Sequence, residues 1–440
     1  MQCNTASHFY IIIFHSNVKI QDSLPDKMIN TKSDDLRIER IDSEEAFRAI
    51  ENEWDALIDK SINSTFYSTY RFVYTAWKHF RSETDSLFIL AVRRNGTLVG
   101  IAPFTIQGMK AANIRLLKVI RFIADWGGGD KPTLVTTEQP GLVWERIFEF
   151  LNKEFTQWDG IWLSEQPGDG LVFDSRVFQH KRFSPRVVSA SNSFYVSLTG
   201  TWEEYLNSVG KNTLKKWKKD TKKLFTNYNE VTVQCIEEQA DLPDALKRFI
   251  SLEQSGWKKH YDFSIGGNEK QRAFYEELIS SLADKKMVAF YFLKTGSTDI
   301  AGELLFKSKT TVFSAHVAFN PAYADCSPGI LLSAETIKAH IGMHYKEFDF
   351  LTLPDDEKND AKKNWSTGSR KTVSLLIGKR KLRMGLFILG RVNRLKTVIP
   401  HYQRDYGEHR VSSHVPYCIS FLNSILDMQF LPLLTPLIFV

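Results

Sequence analysis

Cysteine is scarce in this chain, with four in 440 residues (Cys3, Cys235, Cys326 and Cys418). They are scattered, with no Cys-x-x-Cys and no Cys/His cluster at zinc spacing. That argues against a disulfide framework or structural zinc, and points to a reducing compartment. The chain also lacks a Gly-x-Ser-x-Gly elbow or a Cys/His signature, the usual markers of a covalent nucleophile. Long apolar runs are missing too. The run 9–14 has no basic region before it and no small-residue cleavage site after it, so it does not read as a signal peptide. The apolar stretch 417–440 is interrupted by Asn423, Asp427, Gln429, Pro432 and Pro436. A spanning helix wants about 20 mostly apolar residues, so an ill-ordered or surface-associated tail is expected instead. Met28 is an alternative start, with the residues before it a disordered extension.

What remains is ordinary soluble-globular composition: 43% hydrophobic, 13% aromatic and 25% charged, enough chain for two domains with their own cores. A formal charge of +6 is modest at this length and does not by itself imply nucleic acid.

The interior reads as a faint repeat. A helix pattern (Phe47, Ile50, Trp54, Leu57) follows an Asp42/Glu45 capping box. Strand 87–93, an Asn95-Gly96 turn and strand 98–104 form a hairpin. A helix over 141–155 and a strand over 158–164 follow. The second half repeats the order: a helix (Phe274, Leu278, Leu282), strand 287–293, a turn over 295–299, strand 300–306 and strand 311–319. Then come a helix with Ile330, Ala334, Ile337 and Ile341 on one face, strand 347–351 and a last strand over 372–377.

Between the halves, 201–225 reads as one long helix with a Thr201/Glu204 capping box. It carries seven lysines from 211 to 223 against one acid, Asp220. Such a run is commonly a solvated face; phosphates, an anionic glycan or an anionic lipid surface are the functional alternatives. Segment 379–396 mixes basic and apolar residues, either as a membrane-surface helix or as a helix packed on the second half.

Ser327-Pro328-Gly329 opens the helix after strand 311–319. Ser suits the cap, Pro the first helical position, and Gly a close approach to the backbone. Free N–H groups at a helix start make an anion site; a capped core helix is the commoner use of the same residues.

Four pieces taken together resemble the GNAT acyltransferase superfamily, and more closely its tandem CelD-type branch, over residues 38–395. They are Trp202-Glu-Glu-Tyr-Leu-Asn-Ser208 with the lysine run, Leu252-Glu-Gln-Ser-Gly-Trp-Lys258, Phe319-Asn-Pro-Ala-Tyr323 with Ser327-Pro328-Gly329, and Phe348-Asp-Phe350 with Lys362-x-x-Trp365. The resemblance implies an α/β (α+β mixed-sheet) fold of two tandem GNAT-like acyl-CoA N-acyltransferase units with a groove between them, similar to the Fem-type aminoacyltransferases. The divisions expected are a disordered extension (1–37), a degenerate N-terminal half (38–195), a C-terminal acetyltransferase domain (196–400) and a tail of open order (401–440).

The resemblance further implies acetyl-CoA as acyl donor and no metal. Pantetheine would pair with the strand before the main helix, and the diphosphate would sit on the helix start. The residues concerned are Ala318, Phe319, Ser327, Pro328, Gly329, Ile330 and Leu331. The first half has Trp126-Gly-Gly-Gly-Asp130 in the comparable region and no Ser-Pro-Gly, so the second half is expected to bind the cofactor. Two departures fall on the acceptor side: Ala361 stands where the family often has tyrosine, and 354–360 is a polar loop.

Acyl transfer needs a deprotonated amine or hydroxyl and a proton for the departing thiolate. Asp349, Glu253, His316 and Tyr323 are the catalytic candidates. Each has a structural alternative: a strand-end ion pair, a helix-surface carboxylate, a core histidine and a packed tyrosine. Trp257, Lys258, Glu303, Lys362 and Trp365 are the groove candidates, with core packing the alternative for the tryptophans and an ion pair for Glu303. The leading function is an acetyl-CoA-dependent acyltransferase acting on an amine or hydroxyl of a cell-envelope polysaccharide or precursor. It would be cytoplasmic, with peripheral contact at an anionic membrane surface and no specific nucleic acid. The rivals are a Fem-like aminoacyl-tRNA-dependent transferase and a catalytically silent scaffold at a membrane or polysaccharide synthase.

Overall fold

Asn95 and Gly96 both adopt left-handed backbone (φ 49° and 82°), the two-residue turn whose twist matches that of paired strands. They join β2 (Asp85–Arg94) to β3 (Thr97–Ala111). The computed structural model describes residues 35–61, 64–111, 114–124, 133–167, 186–256, 264–353 and 360–378, all within the compact unit Ser33–Val440. The apolar tail, segment 379–396, Trp126–Asp130, Trp257 and Lys258 lie outside the described residues.

The first half runs β1 (Leu36–Ile41), α1 (Glu44–Ala49), α2 (Glu51–Lys60), α3 (Tyr70–Phe80), β2, β3, β4 (Ile114–Phe122), β5 (Val135–Thr136), α4 (Pro140–Lys153), β6 (Gly160–Pro167) and β7 (Arg186–Ser197). Two helices follow, α5 (Trp202–Ser208) and α6 (Lys211–Asn227). The second half then gives β8 (Val231–Ile236), α7 (Leu242–Ser255), α8 (Glu269–Leu282), β9 (Val288–Thr295), β10 (Thr298–Lys307), β11 (Thr311–Phe319), α9 (Pro328–His340), β12 (Glu347–Leu353), α10 (Asp360–Trp365) and β13 (Gly368–Gly378).

All thirteen strands share one mixed sheet, ordered β1-β2-β3-β4-β6-β13-β7-β12-β11-β10-β9-β8, with β5 beside β3. From either edge the wiring is the same: a four-strand antiparallel meander, then a parallel strand reached over a helix. β4 pairs parallel with β6 only over Val119–Arg121 and Gly160–Trp162, and β11 with β12 only over Thr311–Phe313 and Glu347–Asp349. Two like α/β units thus follow one another along the chain. At the centre the last strands are exchanged: β13 of the second half pairs with β6, and β7 of the first half pairs with β12. A boundary at 195/196 therefore cuts through β7.

On one face, α1–α3 and α7–α8 share a core. Phe66 stacks on Phe306 with centroids 4.1 Å apart, and Tyr67 and Phe72 meet Phe313 and Phe274 edge-on. On the other face, α4 covers the first half with Trp144 and Phe148, and α5, α6, α9 and α10 cover the second.

Two helix expectations need correction. The first cap is Ser43, whose hydroxyl accepts from the Ala46 N–H (3.2 Å), not the Asp42/Glu45 box; the helix also breaks at Ile50. The long helix over 201–225 is two, broken at the extended Val209 and Gly210. The Thr201/Glu204 capping box does form, with both reciprocal bonds present (2.8 and 3.2 Å). The break lets Tyr205 and Leu224 both reach one core.

A fragment that starts at residue 198 lacks both β6 and β7, which leaves β12 with an open edge and β13 with neither neighbour. A fragment of residues 198–440 is expected to be insoluble or unfolded by circular dichroism, and to be rescued as a one-to-one complex when co-expressed with residues 33–197. A monomeric, folded 198–440 fragment would contradict this.

Candidate functional site

β11 pairs with β10 along its whole length, with a bulge between the partners of Ser314 and His316. With β12 it shares only its first three residues. β12 then kinks: Leu351 adopts left-handed backbone (φ 66°), and the pairing of β12 with β7 slips between Asp349 and Thr352. The two strands therefore part from a common root. Beyond its pairing with β12, β11 becomes half-buried at Ala315, His316 and Val317, against the buried Val312 to Ser314.

Asp349 holds the kink. Its buried carboxylate accepts from the Leu351 N–H (2.7 Å), the Ser193 hydroxyl (3.2 Å) and the Arg370 guanidinium (3.2 Å). Arg370 also pairs with Glu347.

β11 leads through a 3₁₀ turn, Pro321–Cys326, into α9. Ser327 precedes the helix, but not as a conventional cap. Its backbone is left-handed (φ 50°, ψ 50°) and its hydroxyl bonds no helix N–H. It accepts instead from the Lys216 ammonium of α6 (2.7 Å). The N–H groups of Ile330 and Leu331 donate to the Ser327 carbonyl (3.0 and 3.2 Å). A Cβ on Gly329 would stand 3.3 Å from Val317 Cγ1, so glycine lets the first turn of α9 close on β11. Lys216 also pairs with the buried Asp220, and Lys223 pairs with Asp325 in the 3₁₀ turn (2.5 Å). One side of the lysine run thus lies against the start of α9.

Alternate residues of a strand face opposite ways. Val317 faces α9, and His316 faces α7 and α8. There its Nε2 lies 2.7 Å from the Tyr275 hydroxyl and its Nδ1 3.8 Å from the carboxylate of Glu253. Glu253 is buried, and it accepts from the Gly266 N–H (3.3 Å). Three elements thus bring a carboxylate, an imidazole and a phenol together where β11 has parted from β12.

Other expected residues go elsewhere. Tyr323 packs on Tyr228 (5.0 Å). Trp365 is buried, its carbonyl accepting from Tyr205 (2.7 Å) and its ring meeting Trp217 edge-on. Lys362 donates to the Phe350 carbonyl (3.3 Å). Pro328, Ala318 and Leu331 are buried, while Phe319 and Ile330 are half-buried in the core of this face. Glu303, fully buried on β10, accepts from Ser314 (2.6 Å) and from Ser333 of α9 (3.2 Å).

Sequence reasoning did not find Tyr275, Ser193 or Arg370, which are distant in the chain and carry no local pattern. It singled out the lysine run without seeing that Lys216, four residues before Asp220, reaches Ser327. It also passed over Pro140-Gly141, which opens α4 as Pro328-Gly329 opens α9; there Gln139 makes no side-chain cap bond. Among the described residues, no group of three or more His, Cys, Asp or Glu is arranged to hold a metal ion.

This wedge lies inside the stretch that a family comparison selects. Residues 211–359 match the acetyltransferase (GNAT) domain. Two solved structures share the fold. The crystal structure of FemX superposes with a TM-score of 0.53 at 11% identity, over 80% of this chain and 99% of its own. A conserved protein of unknown function from Bacteroides thetaiotaomicron superposes with a TM-score of 0.51 at 12% identity, over 78% and 100%. At such identities the likeness is one of fold. No curated protein matches by sequence.

Burial raises the pKa of Glu303 above its ordinary 4.5, against the opposing hydroxyl bonds. A carboxyl raised by folding keeps its proton in the folded chain at pH values where the unfolded chain has lost it. Its contribution to stability therefore falls as pH rises above about 4.5, until the folded group also ionises. Glu303→Gln removes that titration. The variant is expected to gain on the parent chain in urea midpoints as pH rises above about 4.5, and a difference that stays constant with pH there would refute this account.

Proposed function

We propose that this chain is an acyl-CoA-dependent acyltransferase of the tandem CelD type, with acetyl-CoA as donor. Its acceptor is an amine or hydroxyl on a cell-envelope polysaccharide or precursor, and its location is cytoplasmic. The observation that carries the reading is the parting of β11 from β12, with α9 starting just beyond the end of β11. The divergence of the two strands beyond Phe313 suits an extended pantetheine arm. The first turn of α9, with the Lys216 ammonium beside it, suits a diphosphate.

The donor supplies an activated thioester carbonyl. The acceptor nitrogen or oxygen forms a bond to that carbon, and the carbon–sulfur bond breaks, the coenzyme leaving as its thiolate and taking a proton from solvent. The proton lost by the acceptor passes to the Tyr275 hydroxyl, which gives its own to His316 Nε2 on the face of β11 away from α9. Glu253 then steadies the imidazolium through Nδ1, as a buried carboxylate does when it pairs with a ring that gains charge. Tyr275 orients the ring. Asp349, bound three ways, keeps the wedge in shape and takes no proton in this scheme.

Two measurements test this. Acetyl-CoA at a hundred times its Kd is expected to stabilise the protein by about 2.7 kcal/mol, and Lys216→Ala to weaken binding about tenfold, in line with one charged hydrogen bond. Salt-sensitive tRNA binding without any acetyl-CoA effect would favour the Fem-like alternative. His316→Asn is expected to leave binding intact and to slow thiol release from acetyl-CoA by about 10²–10⁴-fold. Unchanged turnover in that variant would exclude His316 as base.

A further inference from the structure

α6 has two sides of different character. At 100° per residue, Lys211, Lys215, Lys218, Lys222 and Phe225 fall within an arc of about 80°, a stripe about 21 Å long. The opposite side carries Asp220 and Leu224, both buried. The two lysines flanking that inner side are each matched with an acid, Lys216 with Asp220 and Lys223 with Asp325. The four lysines of the outer stripe are exposed and, among the described residues, none has an acid within ion-pairing reach.

The stripe ends on Phe225, 62% exposed and the most exposed large apolar side chain among the described residues. An aromatic ring left in water at the end of an unbroken row of unpaired cations costs free energy unless something covers it. Sheathing by solvent accounts for the lysines alone. It does not account for the ring.

We propose that the outer face of α6 docks on an anionic lipid bilayer, the lysines meeting headgroup phosphates and Phe225 entering the interfacial layer. A flat surface suits a straight, narrow stripe on a helix whose other side is fastened to the protein. Single-stranded nucleic acid, the other polyanion to weigh, is held by aromatic rings interleaved with the cations; here the four lysines run without one, and the ring stands at the end. The contact is peripheral, since no helix among the described residues is long and apolar enough to cross a membrane. It is separate from the acyl-donor wedge, which meets the inner side of α6, and does not depend on that reading.

The test is co-sedimentation of the full chain with vesicles of phosphatidylcholine alone or of equimolar phosphatidylcholine and phosphatidylglycerol. Binding is expected only to the anionic vesicles and to weaken with added salt. Each of Lys211→Glu, Lys215→Glu, Lys218→Glu and Lys222→Glu should lower the partition coefficient about fivefold or more, the effect of about one basic residue at such a surface. Phe225→Ser should lower it without changing the salt dependence, and Lys247→Glu, exposed on α7, should leave it within about twofold. Circular dichroism establishes that each variant is folded. Equal binding to neutral vesicles, no loss in the stripe variants, or displacement from vesicles by a single-stranded oligonucleotide at equal charge concentration would overturn the proposal.

Discussion

A parallel ladder of three residue pairs between β11 and β12 is the constraint on which the site depends, because the wedge opens only where that ladder stops. Two strands that paired to their ends would leave no room between them. The stop is enforced by Leu351, a non-glycine residue in left-handed backbone, a conformation that costs roughly 1–2 kcal/mol for an L residue. Asp349 offsets that cost by accepting the Leu351 N–H, and Ser193 and Arg370 satisfy the rest of a carboxylate that burial would otherwise penalise. Ser193 comes from β7 and Arg370 from β13, so the kink is held by the exchanged strands.

The first half repeats the device. β4 and β6 share three pairs, and Glu165 in β6 is left-handed as Leu351 is in β12. Its helix α4 also starts on Pro-Gly. The difference lies in what surrounds the helix start. α9 follows β11 through a short 3₁₀ turn and has α6 packed beside it, with Lys216 at Ser327; α4 has no such basic helix among the described residues. The same duplicated frame thus carries a lysine at the helix start in the second half, while α1–α3 of the first half cover the opposite face through Phe66, Tyr67 and Phe72.

Periodicity alone determined most elements of this protein. Apolar runs bounded by turn residues marked β9, β10 and β11, Asn95-Gly96 marked the hairpin, and Thr201/Glu204 marked the start of α5, because these signals rest on residues close together in the chain. The break at Val209-Gly210 and the Ser43 cap were misread, since competing polar residues stood close by and only packing chose between them. Duplication was legible as a repeated order of elements. The exchange of β7 and β13 was not, because strand partners are selected by long-range pairing.

The same division holds at the site. Ser327-Pro328-Gly329 and the lysine run stood out in the sequence by local chemistry. That Ser327 turns its hydroxyl to Lys216, that Tyr275 meets His316 and that Ser193 and Arg370 hold Asp349 at a kink are facts of residues 21 to 156 positions apart in the chain. Local pattern specifies which side chains are present and how each segment folds; only tertiary packing decides which of them touch.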